Sequence, residues 1–214
     1  MYTPSHFQET SPDEVTALIE AAPLACLVVQ TQEGLIANHF PLLIGSDGAL
    51  IGHLALANDM HRLVADGQEV LVIFQGNDAY VSPNFYPSKQ EHHKHVPTWN
   101  YQVVHIYGEI TFQHDERAKR TAVALLTRKH ERRVNGDKAW KMTDAPAEYI
   151  DEMLNNIVAF RVDIRRTLAK SKLSQNRHER DYAGTIDGLR GSGHDTMAEN
   201  MAKRRTGAAD ADRR

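Results

Sequence analysis

Three consecutive residues near the middle of the chain, Thr98, Trp99 and Asn100, could together hold a flat polar ligand. They supply a hydroxyl group, a flat apolar face and an amide. A fused heteroaromatic ring needs such a set, because apolar contacts cover its faces while amides and hydroxyls bond its N–H and carbonyl groups. The triplet alone is weak evidence, since tryptophan followed by asparagine is also common in structural turns.

A second polar cluster follows the last predicted strand. Its members are Lys172, Ser174, Gln175, Asn176 and Arg177, and they are preceded by Arg165, Arg166 and Lys170. Cations of this kind can pair with a phosphate group or stabilise negative charge on a reduced flavin ring. The alternative is a solvated basic surface, which is the simpler interpretation of a run of charges.

Histidine and asparagine side chains mark two neighbouring predicted strands, NHFPLLI and GHLALAND. Asn38 and His39 lie in the first of them, and His53 lies in the second. Asn58 and His61 follow at a strand-to-helix turn, where free backbone amides favour an anion. For each histidine taken singly, the simpler interpretation is a strand residue with satisfied hydrogen bonds.

A histidine-rich loop offers imidazole nitrogens to a divalent metal at His92, His93 and His95. No carboxylate or cysteine stands beside them at a recognised ligand spacing, so we predict a solvated loop and no metal site. The sequence also lacks the GxGxxG, P-loop, HExxH and GxSxG motifs, which excludes several common enzyme classes.

These histidines belong to a long segment, residues 79–101, that is rich in proline and aromatic side chains. Loops longer than about 12 to 15 residues inside compact domains are usually functional or disordered. The density of aromatic residues, among them Tyr80, Phe85 and Tyr86, argues against disorder. Either these side chains line a binding site or they merely cover one end of a barrel.

The composition indicates one globular domain with a sizeable core. A formal net charge of −3, a sequence pI near 6.4 and 41% apolar residues exclude a disordered chain and a globally basic nucleic-acid binder. The single cysteine, Cys26, lies in the apolar run LACLVV and is expected to be buried. No secretory leader and no run of about 18 apolar residues is evident, so we expect a cytoplasmic location without a membrane contact.

The predicted architecture is mainly β, antiparallel, with peripheral helices. The expected strands are LACLVVQ, LIANHFPLLI, ALIGHLAL, EVLVIFQG, AYVS, YQVVHIYGEITF and IVAFRVDI, and the expected helices cover 12–22, 58–65, 115–133 and the segment after Pro146. This order lacks the regular βαβ alternation of a parallel sheet. Residues 1–190 should form one domain, and residues 191–214, which contain few large apolar side chains, should form a mobile tail.

Seven motifs, taken in order, resemble a known family. They are MYTPSHF, ANHFPLLI, GHLALAN, AYVSPNFYPSK, VPTWNY, HIYGEI and KLSQNR. In order and approximate spacing they are similar to the PaiB-type FMN-binding negative transcriptional regulators. The resemblance implies an FMN-binding split β-barrel of the kind shared with pyridoxamine-phosphate oxidases and flavin reductases.

The resemblance also implies a homodimer with FMN at the subunit interface, so that each site draws on two chains. At the matching positions the implied site residues are Asn38, His39, His53, Asn58, His61, Tyr80, Ser82, Thr98, Trp99, Asn100, Lys172, Gln175 and Asn176. Family members often have proline where this chain has Asp59. A carboxylate there would disfavour a phosphate unless it points away or caps the helix.

Two functions are compatible with the resemblance. The first is a regulatory flavoprotein that lowers gene expression; the candidate DNA-binding patches are Lys203 to Arg205 and the helix end at Arg128 to Arg133, each of which could be a solvated surface. The second is an FMN-dependent oxidoreductase that passes electrons between a reduced nicotinamide and a small acceptor. A third ligand, haem held by His39, His53 or His105, is not demanded by any local motif.

Overall fold

The computed structural model describes the backbone of residues 1–211 and the side chains of residues 1–205. Its helices are α1 (Pro12–Ala21), α2 (Met60–Leu63), α3 (Lys89–His92), α4 (Glu116–Asn135), α5 (Ala147–Asn155), α6 (Glu179–Gly191) and α7 (Asp195–Ala211). Its strands are β1 (Gln8–Glu9), β2 (Leu24–Thr31), β3 (Gly34–Pro41), β4 (Leu43–Ile44), β5 (Leu50–Ala55), β6 (Gln68–Val81), β7 (Thr98–Gln113) and β8 (Ile157–Lys172).

The strands form one sheet in the order β3-β2-β6-β7-β8-β5-β4, with β1 paired to β8 outside this path. The pairs β2/β3, β2/β6, β4/β5, β5/β8 and β1/β8 are antiparallel. In the β5/β8 register His53 lies opposite Ala159. The prediction of a mainly antiparallel β protein with peripheral helices is confirmed. No helix in the described residues is both long and apolar enough to cross a membrane.

Two predicted helix starts are found with their capping residues in place. The Oγ of Ser11 accepts a hydrogen bond from the backbone N–H of Glu14 at 3.4 Å, and α1 begins at Pro12. The carboxylate of Asp115 accepts from the backbone N–H of Ala118 at 2.9 Å, and α4 follows. These side chains satisfy donors that a helix start otherwise leaves unpaired.

Two of the differences from the predicted strands concern β6 and β8. β6 is continuous through Gly76, where the sequence predicted two strands. Gly76 instead allows a close approach, because a Cβ atom there would lie 3.2 Å from the carbonyl oxygen of Gln102. β8 runs on to Lys172 rather than ending at Ile164, so the second polar cluster begins on a strand.

The chain divides into two compact units. The first contains Met1–Leu18, Gln75–Val104 and Leu168–Arg214, and the second contains Ile19–Phe74 and His105–Thr167. The core of the second unit is mostly aliphatic and contains closely packed phenylalanine rings. Phe40 and Phe160 meet edge to face at 5.2 Å, and a Cβ atom on Gly52 would lie 2.7 Å from the Phe160 ring.

The core of the first unit is built largely by α6 and α7. It contains Ala79, Leu173, Tyr182, Ile186, Leu189, Met197, Ala198 and Met201. The expectation of a mobile tail from residue 191 did not anticipate α7. Three buried side chains, Met197, Ala198 and Met201, fall on one face of this helix, and such a short apolar stripe is hidden in a composition dominated by small and charged residues.

A buried hydrogen-bond cluster fastens the long segment after β6 to α6. The carboxylate of Asp181 accepts from the backbone N–H of Ser88 at 3.0 Å and from its Oγ at 2.7 Å. The same Oγ lies 2.7 Å from Nε2 of His95. Because the single hydroxyl proton of Ser88 goes to the carboxylate, Nε2 of His95 must be the donor to that oxygen.

The charge of Asp181 is stabilised by this cluster. Burial raises the pKa of its carboxyl group, but the two hydrogen bonds from Ser88, together with the nearby His95 and Arg180, outweigh burial and hold the pKa below its ordinary value of 3.8. A depressed pKa in the folded state means that this group stabilises the fold above pH 3.8 and ceases to do so as the pH falls through and below that value.

Replacing this carboxylate should lower stability in a pH-dependent way. We expect Asp181→Asn to lower the free energy of unfolding at neutral pH by about 1–3 kcal/mol, because one acceptor of the Ser88 donors is lost. The difference from the unsubstituted protein should shrink as the pH falls toward 3. Urea unfolding followed by circular dichroism over a pH series measures both effects.

Asp187→Asn is the matched control, because this residue lies on the same helix with its side chain 80% exposed. It should change stability by less than about 0.5 kcal/mol at every pH. A constant difference between Asp181→Asn and the unsubstituted protein from pH 7 to pH 3 would show that the carboxylate charge plays no part.

Candidate functional site

Lys172, from the polar cluster after the last predicted strand, contacts the triplet of Thr98, Trp99 and Asn100. Its ammonium group donates to Oγ1 of Thr98 at 2.5 Å and to the carbonyl oxygen of Trp99 at 2.6 Å. Thr98 begins β7 and Lys172 ends β8, and these strands are neighbours in the sheet. An ammonium group has three N–H donors, so one of them has no partner in the described part of the chain.

The charge of Lys172 sits in an unfavourable environment. Its pKa lies below the ordinary value of 10.5, chiefly because partial burial disfavours the ammonium form and further because Lys170 and Arg177 add positive charge nearby. Among the described residues no carboxylate forms an ion pair with any of these three cations. A bound anion would relieve both costs.

Lys170 lies on the same face of β8, two residues before Lys172, and is only 6% exposed. Its ammonium group donates to the carbonyl oxygen of Tyr2 at 3.2 Å. It also lies 5.0 Å from the centre of the Tyr101 ring and 5.9 Å from that of Tyr2. These rings offer partial compensation for the buried charge.

Lys170 and Lys172 are called the lysine cluster below. Two exposed aromatic side chains lie beside it. Trp99 is 52% exposed and Tyr80 is 46% exposed, and their rings meet edge to face at 6.1 Å. Two exposed rings in contact offer an apolar surface that suits a ligand or partner. The structure therefore brings together Tyr80, Thr98, Trp99 and Lys172, four of the residues that the sequence singled out.

Asn100 has a different position from its neighbours. It is fully buried; its Oδ1 accepts from Ser174 Oγ at 3.0 Å, and its Nδ2 lies 3.4 Å from the sulfur of Met201. An amide engaged in this way supports the turn from inside and is not exposed to a ligand. Ser174 itself adopts a φ of 64°, so this bond also holds a strained turn.

The remaining predicted residues of the first unit either bond the backbone of their own turns or line a nearby cavity. Gln175 accepts from Leu173 N–H and donates to the carbonyl of Ser171, at 2.7 and 2.5 Å. Ser82 accepts from the N–H of Asn84 at 3.2 Å. Asn176 is exposed and lines a cavity of about 570 Å³.

That cavity also receives the histidine-rich loop. His92 and His95 line it together with Arg177 and Arg180, and Nδ1 of His95 is buried without a hydrogen-bond partner in the described residues. In the part of the chain with described side chains, no group of histidine, cysteine, aspartate or glutamate has a geometry that could hold a metal ion.

In the second unit, Asn38 and Asn58 form a polar pair between β3 and the start of α2. Nδ2 of Asn58 donates to Oδ1 of Asn38 at 3.1 Å, and Oδ1 of Asn58 accepts from the backbone N–H of Met60 at 3.0 Å. Asp59 pairs with Arg62 at 2.6 Å, so its charge is partly compensated. This pair reduces the electrostatic conflict with an anion that the sequence suggested.

Three histidines of the second unit occupy different settings. His39 is exposed on β3. Nε2 of His61 bonds the carbonyl oxygen of Leu56 at 3.0 Å. His53 lines an apolar cavity of about 200 Å³ with Trp140 and other apolar side chains, where burial lowers its pKa and its Nδ1 has no partner among the described residues.

The sequence placed Tyr101 in one of the ordered motifs but did not predict its contact with Lys170, and it did not predict Tyr2 and Ser171 beside the lysines. The contact between Tyr2 and Lys170 joins residues 168 positions apart in the sequence, and no local sequence pattern predicts it. Gln102 bonds Ser171 at 3.1 Å beside the cluster, which the alternation along β7 could have suggested.

The lysine cluster and the side chains around it have the chemical groups that a flavin mononucleotide needs. Trp99 and Tyr80 supply apolar faces for a ring system, and Thr98 retains its hydroxyl proton because it accepts from Lys172. The cations Lys170, Lys172 and Arg177 match a phosphate or an anionic ring. A flavin supplies one- and two-electron redox chemistry when bound, while the protein supplies its binding and its electrostatic surroundings.

Two relatives align with nearly the whole chain. A protein of Bacillus subtilis named protease synthase and sporulation protein PAI 2 is 31% identical over 207 residues, which cover 95% of this chain and 95% of that protein. An uncharacterized protein of Emericella nidulans is 27% identical over 232 residues, which cover 91% of this chain and 92% of that protein.

Two solved structures share the fold. The FAD and heme binding protein of Mycobacterium smegmatis superposes with a TM-score of 0.57 at 17% identity, covering 82% of this chain and 78% of that one. The flavocytochrome Anf3 of Azotobacter vinelandii gives 0.57 at 14% identity, covering 83% and 75%. At these identities the likeness concerns the fold alone, and the predicted split-barrel architecture is confirmed.

The family described as "Putative FMN-binding domain" matches residues 1–166. This match covers most of the chain and agrees with the end-to-end similarity to PAI 2. The chain therefore belongs to this FMN-binding domain family, as the ordered motifs of its sequence predicted.

Proposed function

We propose that this protein binds FMN at the lysine cluster, with Trp99 and Tyr80 against the ring system and Lys172 beside its polar edge. The observation that carries the proposal is the group of three cations, Lys170, Lys172 and Arg177, which have no carboxylate partner among the described residues. Burying positive charge without a counter-charge is expensive, so the cluster calls for an anionic ligand.

The aromatic pair narrows the class of anion. A small anion such as free phosphate would compensate the charges but would leave Trp99 and Tyr80 uncovered. A ligand that joins a negative charge to a flat ring system satisfies both features. The family to which the chain belongs makes FMN the member of this class that we propose.

We propose further that the protein is a homodimeric regulatory flavoprotein of the PaiB type. The ordered motifs and the similarity to PAI 2, whose name refers to protease synthesis and sporulation, support this role. A direct contact of the C-terminal basic residues with DNA is not favoured, because Arg204 is paired with Glu9 and Arg205 with Glu179.

An FMN-dependent oxidoreductase is the second candidate. The positive charge at Lys172 favours it, because a cation near the ring stabilises the anionic reduced form of a flavin. The two candidates share the same binding site and differ in whether reduction by a nicotinamide is part of the function.

Removing either side of the binding site should weaken FMN binding. We expect Lys172→Ala to raise the Kd for FMN roughly tenfold to a hundredfold, since a charge-assisted hydrogen bond is lost. Trp99→Ala should raise it roughly two- to tenfold through the lost ring contact. Titration of the apoprotein, followed by quenching of FMN fluorescence, measures both constants.

The matched controls for these variants are Lys138→Ala and Tyr149→Ala, which remove an exposed lysine and an exposed aromatic residue of the second unit. Both controls should retain the unsubstituted affinity. Undiminished FMN binding by Lys172→Ala and Trp99→Ala together would place the flavin elsewhere.

Reduction by nicotinamide separates the two candidate functions. For the regulatory role we expect no rapid bleaching of the bound flavin when the holoprotein is mixed anaerobically with NADH or NADPH. Stopped-flow absorbance measures the rate. Reduction on the timescale of enzyme turnover, slowed in Lys172→Gln, would favour the oxidoreductase instead.

If the protein regulates genes without contacting DNA directly, it should show no preference for a particular DNA sequence. We expect gel-shift titrations to show equal, weak and salt-sensitive binding to the DNA upstream of the protein's own gene and to a random duplex of the same length. A preference for the upstream duplex that persists as salt is raised would establish direct recognition.

A further inference from the structure

A second cavity lies in the second unit, against one face of α4. Its volume is about 1090 Å³, and its lining comes from α4, the β4–β5 region and Arg161 of β8. None of the residues proposed to hold FMN lines it. The cavity is therefore distinct from the proposed FMN site, and an inference about it does not rest on the proposed function.

The lining carries an excess of positive charge. Six cations contribute to it, Arg117, Arg128, Lys129, Arg132, Arg133 and Arg161, against the two carboxylates of Asp47 and Asp115. The chain as a whole has a formal net charge of −3. Positive charge is thus concentrated at this cavity in a protein that is otherwise acidic.

Several of these cations have no structural partner that explains them. Lys129 pairs with Glu20 at 2.9 Å, and Arg161 pairs with Asp47 at 3.1 Å. By contrast, Arg117, Arg128 and Arg132 form no ion pair with any residue whose side chain the structure describes. Asp115 caps α4 and forms no ion pair with any of these arginines among the described side chains.

The helix dipole accounts for only part of this pattern. Cations in the last turn of a helix are favoured by its carbonyl groups, and Arg132 and Arg133 lie there in α4. Arg117 lies in the first turn, where the dipole disfavours a cation. Arg128 and Arg132 are four residues apart, so their like charges also repel each other. An anion bound between Arg128 and Arg132 would remove this repulsion.

The floor of the cavity is apolar. Leu43 and Ile44 of β4, Ile51 of β5 and Leu125 of α4 line it. On α4 the spacing of Arg117, Leu125, Arg128 and Arg132 puts them along one face of the helix. An apolar patch therefore lies between cations at both ends of the cavity.

We propose that this cavity binds a nucleotide that carries two or more phosphate groups. The phosphates pair with Arg128 and Arg132, and the base lies on the apolar floor at Ile44 and Leu125. A concave site with an apolar floor and a few charged groups suits a small molecule. A duplex backbone, which contacts rows of cations along a surface, would leave this floor unused.

Isothermal titration calorimetry of the FMN-loaded protein tests the proposal, with adenosine triphosphate, tripolyphosphate, adenosine and FMN as separate titrants. Adenosine triphosphate should bind about tenfold more tightly than tripolyphosphate, because only the nucleotide covers the apolar floor. Adenosine should bind weakly or not at all. No heat with adenosine triphosphate, or equal affinity for tripolyphosphate, would overturn the proposal.

The double variant Arg128→Glu with Arg132→Glu should weaken adenosine triphosphate binding at least tenfold while leaving flavin absorbance unchanged. The control, Lys119→Glu with Lys138→Glu, makes the same change in net charge outside the cavity and should bind as the unsubstituted protein does. Arg128→Gln provides a milder variant if the double variant does not fold, and it should weaken adenosine triphosphate binding in the same direction.

The other outcomes identify other occupants. Loss of FMN from the double variant, or saturable FMN binding that adenosine triphosphate displaces, would make this cavity the flavin site. Tighter binding of a DNA duplex than of the nucleotide would make it a nucleic-acid surface. If the control variant, Lys119→Glu with Lys138→Glu, lost adenosine triphosphate binding to the same extent, the effect would come from net charge alone. Each of the results in this paragraph would contradict a nucleotide site.

Discussion

The cost of burying Lys170 and partly burying Lys172 on one face of β8 is the constraint on which the candidate site depends. Lys170 is 6% exposed and receives only a carbonyl oxygen and two aromatic rings as partners in the described structure. Lys172 receives the hydroxyl of Thr98 and the carbonyl of Trp99. Neutral partners of this kind orient an ammonium group but do not cancel its charge. A site built in this way is prepared for an anion.

The surrounding elements keep those two lysines in position. Asn100 bonds Ser174 from the interior, and α7 closes the space behind it with Met201. The buried group of Ser88, His95 and Asp181 fastens the long segment before β7 to α6. These contacts are polar, buried and specific in geometry, so they fix where Thr98 and Trp99 start their strand. The side chains that stabilise this region therefore differ from the neighbouring ones that we propose bind the ligand.

Local patterns predicted the elements well, because capping and alternation act over a few residues. Asp115 marked the start of α4, and Thr98, Trp99 and Lys172 were identified as a group through their ordered motifs. The contacts that decide the role of each residue are long-range and were not predictable. Asn100 has the same residue type as an exposed ligand-binding amide, and only its burial against Met201 shows its supporting role. The packing of α7 was hidden for a similar reason, since three small or flexible apolar residues suffice to dock it.

The central claim is that the chain carries FMN, and the absorption spectrum of the protein purified without added cofactor tests it most directly. We expect the two bands of an oxidised flavin, and we expect denaturation to release FMN in an amount stoichiometric with the chain. A Soret band in their place would identify haem as the ligand and contradict the account. A colourless protein that fails to quench the fluorescence of added FMN would contradict it as well.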